Sequence, residues 1–168
     1  CTNCPKGYAS IYGQSKCDEC VQGKYADEYN STSKKNAKSC KFCPSGKYAK
    51  DVEPLVRLSE ADSCQNCQVA KYSSAPGIDF ATGCTQCPPG RYSNDLGNDA
   101  AGDCKPCVAN TYAALPERTA CQDCDISEKS DEGSTFCTKC QAGEYMSTNR
   151  ACTNCPKGYA SIYGQSKC

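Results

Sequence analysis

This sequence of 168 residues has no histidine, no tryptophan and a single methionine. Leu, Ile, Val and Phe together fill 16 positions, about a tenth of the chain, which is too few for an ordinary packed core. The absence of histidine removes the usual general base for a serine or cysteine nucleophile and the usual catalytic metal ligand. The sequence therefore predicts no enzyme, no catalytic residue and no cofactor.

An excess of one charge is missing as well. The 19 Lys and Arg balance the 19 Asp and Glu, and no long run of one sign occurs. This excludes the basic surface expected of a nucleic-acid partner. No apolar stretch approaches the roughly 18 residues of a membrane-spanning helix, so we expect no membrane segment in this chain. Because the chain begins at Cys1 without a Met, we expect it to be a piece of a longer precursor.

Cysteine is abundant instead, with 19 in the chain. This density is typical of a disulfide scaffold made in an oxidising compartment, and it predicts an extracellular or cell-surface location. The cysteines form C-x-x-C pairs followed by a single Cys168. The pairs begin at Cys1, Cys17, Cys40, Cys64, Cys84, Cys104, Cys121, Cys137 and Cys152.

Repetition occurs at two levels. The segment CTNCPKGYASIYGQSKC is identical at residues 1–17 and 152–168, an offset of 151 residues. This long period contains eight shorter cysteine units, which start at positions 1, 17, 40, 64, 84, 104, 121 and 137. The predicted domain organisation is one long repeat over 1–151, followed at 152–168 by the start of the next identical repeat.

A short phrase follows the second Cys of each unit. Three residues after that Cys stands a glycine or, in other units, Asn110, Ala70 or Ser127. This choice suggests a turn with positive φ, in which Ala70 and Ser127 are strained or differently turned. A Tyr follows, whose ring we expect to stack on the neighbouring disulfide in place of a core. The turn and stacking residues are Gly7, Tyr8, Gly23, Tyr25, Gly46, Tyr48, Tyr72, Gly90, Tyr92, Tyr112, Gly143, Tyr145, Gly158 and Tyr159.

The phrase C-x2-C-P-x-G-x-Y, followed by another C-x2-C, resembles the ephrin-receptor-like cysteine-rich repeats of extracellular proteins. It is also similar to the first half of a tumour necrosis factor receptor module. The resemblance implies a small disulfide-rich fold, an elongated rod of tandem units. We expect short β-hairpins and turns, little helix and no large core, with each unit bonded only to its neighbours.

Sequence alone leaves the disulfide pairing open, including an interlaced pairing and four-cysteine zinc sites. The resemblance implies that the second Cys of one unit bonds the first Cys of the next, and that Cys1 bonds a preceding copy. The implied disulfides are Cys4–Cys17, Cys20–Cys40, Cys43–Cys64, Cys67–Cys84, Cys87–Cys104, Cys107–Cys121, Cys124–Cys137, Cys140–Cys152 and Cys155–Cys168.

Two other stretches suggest sites. Asp95, Asp99 and Asp103 in NDLGNDAAGD are weak calcium candidates, but they lack the D-x-D-x-D-G order, so a solvated turn and no metal are expected. Asn30-Ser31-Thr32 is an N-glycosylation acceptor, and we expect a glycan on Asn30. Within VEPLVRLSEA a single helical turn is predicted.

These observations favour a structural protein. The hypothesis is the repeating subunit of a long extracellular filament, such as a flagellar-hair, cell-surface or wall fibre, whose partners are head-to-tail copies of itself. The alternative is a receptor, adhesion or surface-antigen ectodomain that binds a partner through its loops.

Overall fold

The structure is a computed structural model, and it describes residues 4–5, 7–10, 14–26, 29–30, 35–36, 40–51 and 59–168. Over these residues the chain has a small disulfide-rich fold. Nine disulfides in tandem connect short antiparallel hairpins, with very little helix and no large core in the described part. Cys1 lies outside the described residues, so its partner stays a prediction.

The described strands are two or three residues long. They are β1 Tyr8–Ala9, β2 Asp18–Glu19, β3 Lys24–Tyr25, β4 Tyr29–Asn30, β5 Lys35–Asn36, β6 Lys41–Phe42, β7 Lys47–Ala49, β8 Cys64–Asn66, β9 Lys71–Tyr72, β10 Thr85–Gln86, β11 Arg91–Tyr92, β12 Lys105–Pro106, β13 Thr111–Tyr112, β14 Gln122–Asp123, β15 Glu128–Lys129, β16 Thr138–Lys139, β17 Glu144–Met146 and β18 Cys152–Asn154.

The strands pair as two-stranded ribbons. Except for the β4–β5 ribbon, each places the strand after a turn beside the C-x-x-C of the next unit. The pairs are β1–β2, β3–β6, β4–β5, β7–β8, β9–β10, β11–β12, β13–β14, β15–β16 and β17–β18. In β11–β12, for example, Tyr92 lies opposite Lys105. Ribbons this short are not stable alone, so the covalent links must hold them.

The disulfides are Cys4–Cys17, Cys20–Cys40, Cys43–Cys64, Cys67–Cys84, Cys87–Cys104, Cys107–Cys121, Cys124–Cys137, Cys140–Cys152 and Cys155–Cys168. These are the pairs that the resemblance implied, rather than the interlaced set. They separate their cysteines by 12 to 21 residues. Closing such a loop stabilises a fold by about 3 kcal/mol in the chain-entropy model.

Cysteines and small residues take the place of an aliphatic core. Cys43, Cys67, Cys87 and Cys104 have no exposed surface. In a second buried series, each residue lies six positions after the second Cys of its unit: Ala26, Ala49, Ser73, Ser93, Ala113, Ser130, Met146 and Ser161. Small side chains let the backbones of adjacent units approach closely, which compensates for the scarcity of Leu, Ile and Val.

Helix is confined to short turns. Helix α1 covers Glu60–Ser63, and the Ser59 side chain caps its N-terminus by accepting from the Asp62 N–H at 3.2 Å. Two 3-10 turns cover Ala81–Gly83 and Ala101–Asp103. The helical turn expected within VEPLVRLSEA overlaps α1 only at its last two residues, since 52–58 lie outside the described part. No described helix has the length and hydropathy to cross a membrane.

The chain divides into two compact modules. The first contains residues 1–85 and 95–103, and the second contains residues 86–94 and 104–168.

Candidate functional site

The feature that recurs along the chain is the junction between one unit and the next. We define it by the turn residue, which stands three positions after the second Cys. In the unit that starts at Cys84, the turn residue Gly90 donates its N–H to the Ala113 carbonyl at 2.8 Å. The Gly90 carbonyl accepts from the Cys107 N–H at 2.9 Å. Both partners belong to the following unit, so one peptide joins two units through the backbone alone.

The same pair of hydrogen bonds appears at other junctions. Gly46 donates to the Ser73 carbonyl and accepts from the Cys67 N–H, both at 2.8 Å. Further turn residues with both bonds to the next unit are Gly7, Asn110 and Gly143. Since backbone groups make these bonds, the junction is compatible with the different side chains that the units carry.

A second turn completes the junction, and the sequence interpretation missed it. The Gly97 N–H donates to the Cys67 carbonyl of the preceding unit at 2.9 Å, and Gly133 donates to Cys107 at 2.7 Å. The residues that make this bond, all with positive φ, are Gly77, Gly97, Glu117, Gly133 and Gly164. A signal was present, since each lies 12 or 13 positions after the first Cys of its unit. The non-glycine Glu117 interrupted the pattern.

Contacts also reach the second unit along the chain. A Cβ atom placed on Gly46 would lie 2.2 Å from the Gly97 carbonyl oxygen, and one on Gly90 would lie 2.1 Å from that of Gly133. Each of these pairs spans two junctions. Disulfides bond each unit only to its neighbours, as expected, but close non-covalent contact reaches one unit further, because the turn of one unit packs against the second turn two units later. Glycine is required at these positions for space as well as for φ.

The turn residues adopt the conformations that the sequence suggested. Gly7, Gly23, Gly46, Gly90, Gly143 and Gly158 have positive φ. Ala70 and Asn110 follow them, with φ of 58° and 67°. Ser127 is differently turned, since it is not among the non-glycine residues with positive φ in the described part.

The tyrosines are only partly equivalent. Tyr25 is buried and packs with Cys43 and Cys64, as expected of a ring beside a disulfide. Tyr48, Tyr72, Tyr92, Tyr112 and Tyr145 are half-buried. Tyr8 is also half-buried but differs from them in register: it lies opposite Glu19, as Lys47 and not Tyr48 lies opposite Asn66. Its unit has one residue fewer between the turn glycine and the Tyr, and a shift of one residue in a strand moves a side chain to the other face.

The unit that starts at Cys121 has a different junction. In place of a backbone N–H, the Arg150 guanidinium of the next unit donates to the Cys124 carbonyl at 2.6 Å and to the Asp125 carbonyl at 2.7 Å. Arg150 has a φ of 59° and lies 13 positions after Cys137, the place of the second turn. Its side chain thus replaces the backbone contact of the other units. Nothing in the sequence pattern indicated this role.

The calcium candidates do not come together as ligands. The Asp103 carboxylate accepts from the backbone N–H groups of Asp99 and Ala100, both at 3.0 Å. Both bonds are made to the Asp103 Oδ2, which thus holds the local turn. Among the described residues, no group of three acidic, histidine or cysteine side chains converges on one point. The cysteines from Cys4 to Cys168 are in disulfides, so they supply no thiolates for zinc.

The glycosylation acceptor is only partly described. Asn30 ends strand β4, which pairs with β5 within the second cysteine unit. Ser31 and Thr32 lie outside the described residues, so the glycan on Asn30 stays a prediction.

No protein-family model matches this chain, and no relative was found among curated proteins. The resemblance to ephrin-receptor-like repeats therefore stays a prediction. The density of disulfides indicates an oxidising, extracellular or secretory environment.

Proposed function

We propose that this chain is the repeating subunit of a long extracellular structural filament, in which copies follow one another head to tail. The observation that supports the proposal is the recurrence of one junction, made by the same backbone hydrogen bonds at Gly7, Gly46, Gly90, Asn110 and Gly143. Since five turn residues offer the next unit the same carbonyl and N–H, the pattern can extend without a special terminal contact.

The chemistry of the units suits such a role. Covalent disulfides across 12 to 21 residues resist unfolding and proteolysis where little apolar surface is buried. The identical segments at 1–17 and 152–168 allow one long repeat to be followed by another in the same geometry.

One observation favours the alternative, a receptor, adhesion or surface-antigen ectodomain. An open groove of about 620 Å³ lies beside Cys124, Met146 and Arg150, and it is lined partly by Ile126. Ile126 is 87% exposed, and Val21 and Val108, each directly after the second Cys of its unit, are also exposed. Exposed aliphatic residues of this kind are found at binding surfaces.

The two functions differ in how length depends on copy number. Chains of one, two and four consecutive 151-residue repeats would be compared by electron microscopy and small-angle scattering. A filament subunit gives a contour length that increases by the same increment for each repeat. A matched series carrying Gly46→Ala and Gly90→Ala in every repeat should lose the regular increase in contour length, because the new methyl groups would collide with the carbonyls that face these turns.

Native material provides the second test. Antibody-labelled full-length protein, purified from its source under non-reducing conditions, should appear as fibres. Isolated compact particles, or a gene with one repeat followed by a membrane-spanning helix, would contradict the filament and support the ectodomain.

A further inference from the structure

The identical seventeen-residue segments at the two ends of the chain differ in burial. In the first copy Gly7 is buried, and Ala9 is only 7% exposed. In the second copy Gly158 and Ala160 are exposed, and Tyr159 is 67% exposed whereas Tyr8 is half-buried. Because the residues are the same, the difference comes from what covers them.

The segment that covers the first copy is Asp18–Ala26. Strand β1 pairs with β2, with Tyr8 opposite Glu19 and Ala9 opposite Asp18. The Cys20 N–H donates to the Gly7 carbonyl at 2.9 Å, and Gly7 donates to the Ala26 carbonyl at 3.3 Å. Ala9, Cys20 and Ala26 then form a buried cluster. Hydrogen bonds and packing are thus supplied by one continuous stretch.

The uncovered second copy keeps the same local shape. Gly158 has a φ of 89°, close to the 84° of Gly7. The Tyr159 N–H donates to the Pro156 carbonyl at 3.0 Å, as the Tyr8 N–H does to Pro5 at 3.2 Å. A Cβ atom on Gly158 would meet nothing within 4 Å, so the turn is open. The edge is therefore preformed, and it needs no rearrangement to receive a strand.

We propose that the edge Gly158–Ala160 is a docking site for the Asp18–Ala26 segment of a second copy of this repeat. The register places Tyr159 opposite Glu19 and Ala160 opposite Asp18 of that copy, and it buries Ala160 against its Cys20 and Ala26. Gln165 can then donate to Asp18, as Gln14 does in the first copy at 3.0 Å. The biological meaning of the contact rests on the proposed filament, but the contact itself can be tested separately.

The occupant follows from sequence identity and geometry together. The turn at Gly7 is covered by the N–H of Cys20, by the carbonyl of Ala26 and by the small Ala26 side chain. A segment that covers the turn at Gly158 in the same way must present these groups at the same spacing. In the first copy, Asp18 directly follows Cys17, the equivalent of Cys168. A following repeat therefore reaches the edge along the same path, without displacing a segment already in use.

The test compares the 168-residue chain with one extended after Cys168 by a second copy of residues 18–51. Both carry Tyr8→Phe, because the peptides around Tyr8 and Tyr159 are otherwise identical in mass. Tyrosine nitration, followed by mass spectrometry, reports the accessibility of Tyr159. In the extended chain we expect a several-fold loss of nitration, down to the rate of Tyr8 in the reciprocal Tyr159→Phe variant. The Gly158 amide should exchange about tenfold more slowly, or slower still.

A matched control carries Ala26→Arg in the appended copy alone. Arginine cannot enter the buried cluster, so Tyr159 should regain the nitration rate of the unextended chain. If Tyr159 reacts equally in the plain and extended chains, or if Ala26→Arg has no effect, the docking site is overturned. Compact particles from native material, together with a protected Tyr159, would instead overturn the filament and leave the docking site standing.

Discussion

The unit that starts at Cys84 and the unit that starts at Cys121 reach the same hairpin by different means. The first has the full phrase, with Gly90 at the turn and Tyr92 opposite Lys105. The second has Ser127 and Lys129 at these places, yet Lys129 lies opposite Thr138 in an equivalent ribbon. What differs is the contact with the next unit: the Cys87 carbonyl accepts from the Glu117 backbone N–H, whereas the Cys124 carbonyl accepts from the Arg150 side chain.

The two units show which residues of the repeated sequence form the hairpin and which hold the neighbouring unit. The disulfides and the ribbon register persist where the glycine and the tyrosine are lost. A glycine at the turn allows a positive φ, and where another unit packs against the turn, as the Gly133 carbonyl does at Gly90, it also leaves space for that contact. A unit without it keeps its fold but needs a different contact to hold its neighbour.

Loss of a disulfide should give the largest effect, and it should be larger in the regular unit. Replacing Cys87 and Cys104 by serine removes a bridge whose two residues are fully buried, whereas Cys124 and Cys137 are less so. We expect losses of about 4 and about 3 kcal/mol respectively. Amide hydrogen exchange of each ribbon, measured without reductant, reports both. Equal losses would show that burial of the bridge does not matter.

A methyl group at the regular turn should give the next largest effect. Gly90→Ala introduces a Cβ that would lie 2.1 Å from the Gly133 carbonyl oxygen, so a loss of about 3 kcal/mol is expected in local opening free energy.

Two other glycines separate the causes of that loss. Gly143 has a φ of 86° with nothing near its Cβ position, so Gly143→Ala should cost about 1 kcal/mol through φ alone. Gly102 has neither constraint, and Gly102→Ala should leave stability within about 0.5 kcal/mol. If Gly90→Ala and Gly143→Ala cost the same, the packing of the second turn under Gly90 is not a stabilising contact.

The side-chain junction should break when Arg150 is shortened. Arg150→Ala removes the hydrogen bonds to the Cys124 and Asp125 carbonyls, and we expect about 2 kcal/mol less protection of the ribbon β15–β16. Arg150→Gly removes the same bonds but relieves the positive φ, so it should lose about 1 kcal/mol less than Arg150→Ala. Hydrogen exchange at Glu128 to Ser130 measures both. Unchanged exchange in Arg150→Ala would mean that the guanidinium does not hold the turn.

Restoring the missing ring should give the smallest effect. Lys129→Tyr places an aromatic side chain opposite Thr138, as Tyr112 lies opposite Gln122, and should stabilise the ribbon by about 0.5 kcal/mol. Lys129→Ala is the control and should shift exchange in the opposite direction. A loss of stability with Tyr would show that this unit has adapted to the absence of the ring.

Much of the fold could be predicted because its determinants are local. The residue types of Gly46 and Asn110 predict a positive φ. The alternation of a turn with the next C-x-x-C predicts a two-stranded β-ribbon. The register of Tyr8 differs from that of the other tyrosines, because one residue fewer separates Tyr8 from its turn glycine and a shift of one residue moves a side chain to the other face of a strand. The role of Arg150 could not be predicted, since its partners Cys124 and Asp125 meet it only through the path of the folded chain.

The sequence by itself determined the covalent and local features of this protein: the cysteine repeat, the turn residues, the scarcity of core and the period of 151 residues. The tertiary structure alone decided how units hold one another. The N–H of a second turn donates to the Cys carbonyl of the preceding unit, and the first turn of a unit lies in close contact with the second turn two units later. It also decided that the same sequence is covered in its first copy, at residues 7–9, and exposed to solvent in its second copy, at residues 158–160. The physical reason is that hydrogen bonding and burial depend on neighbours brought close in space, so identical residues have different surroundings.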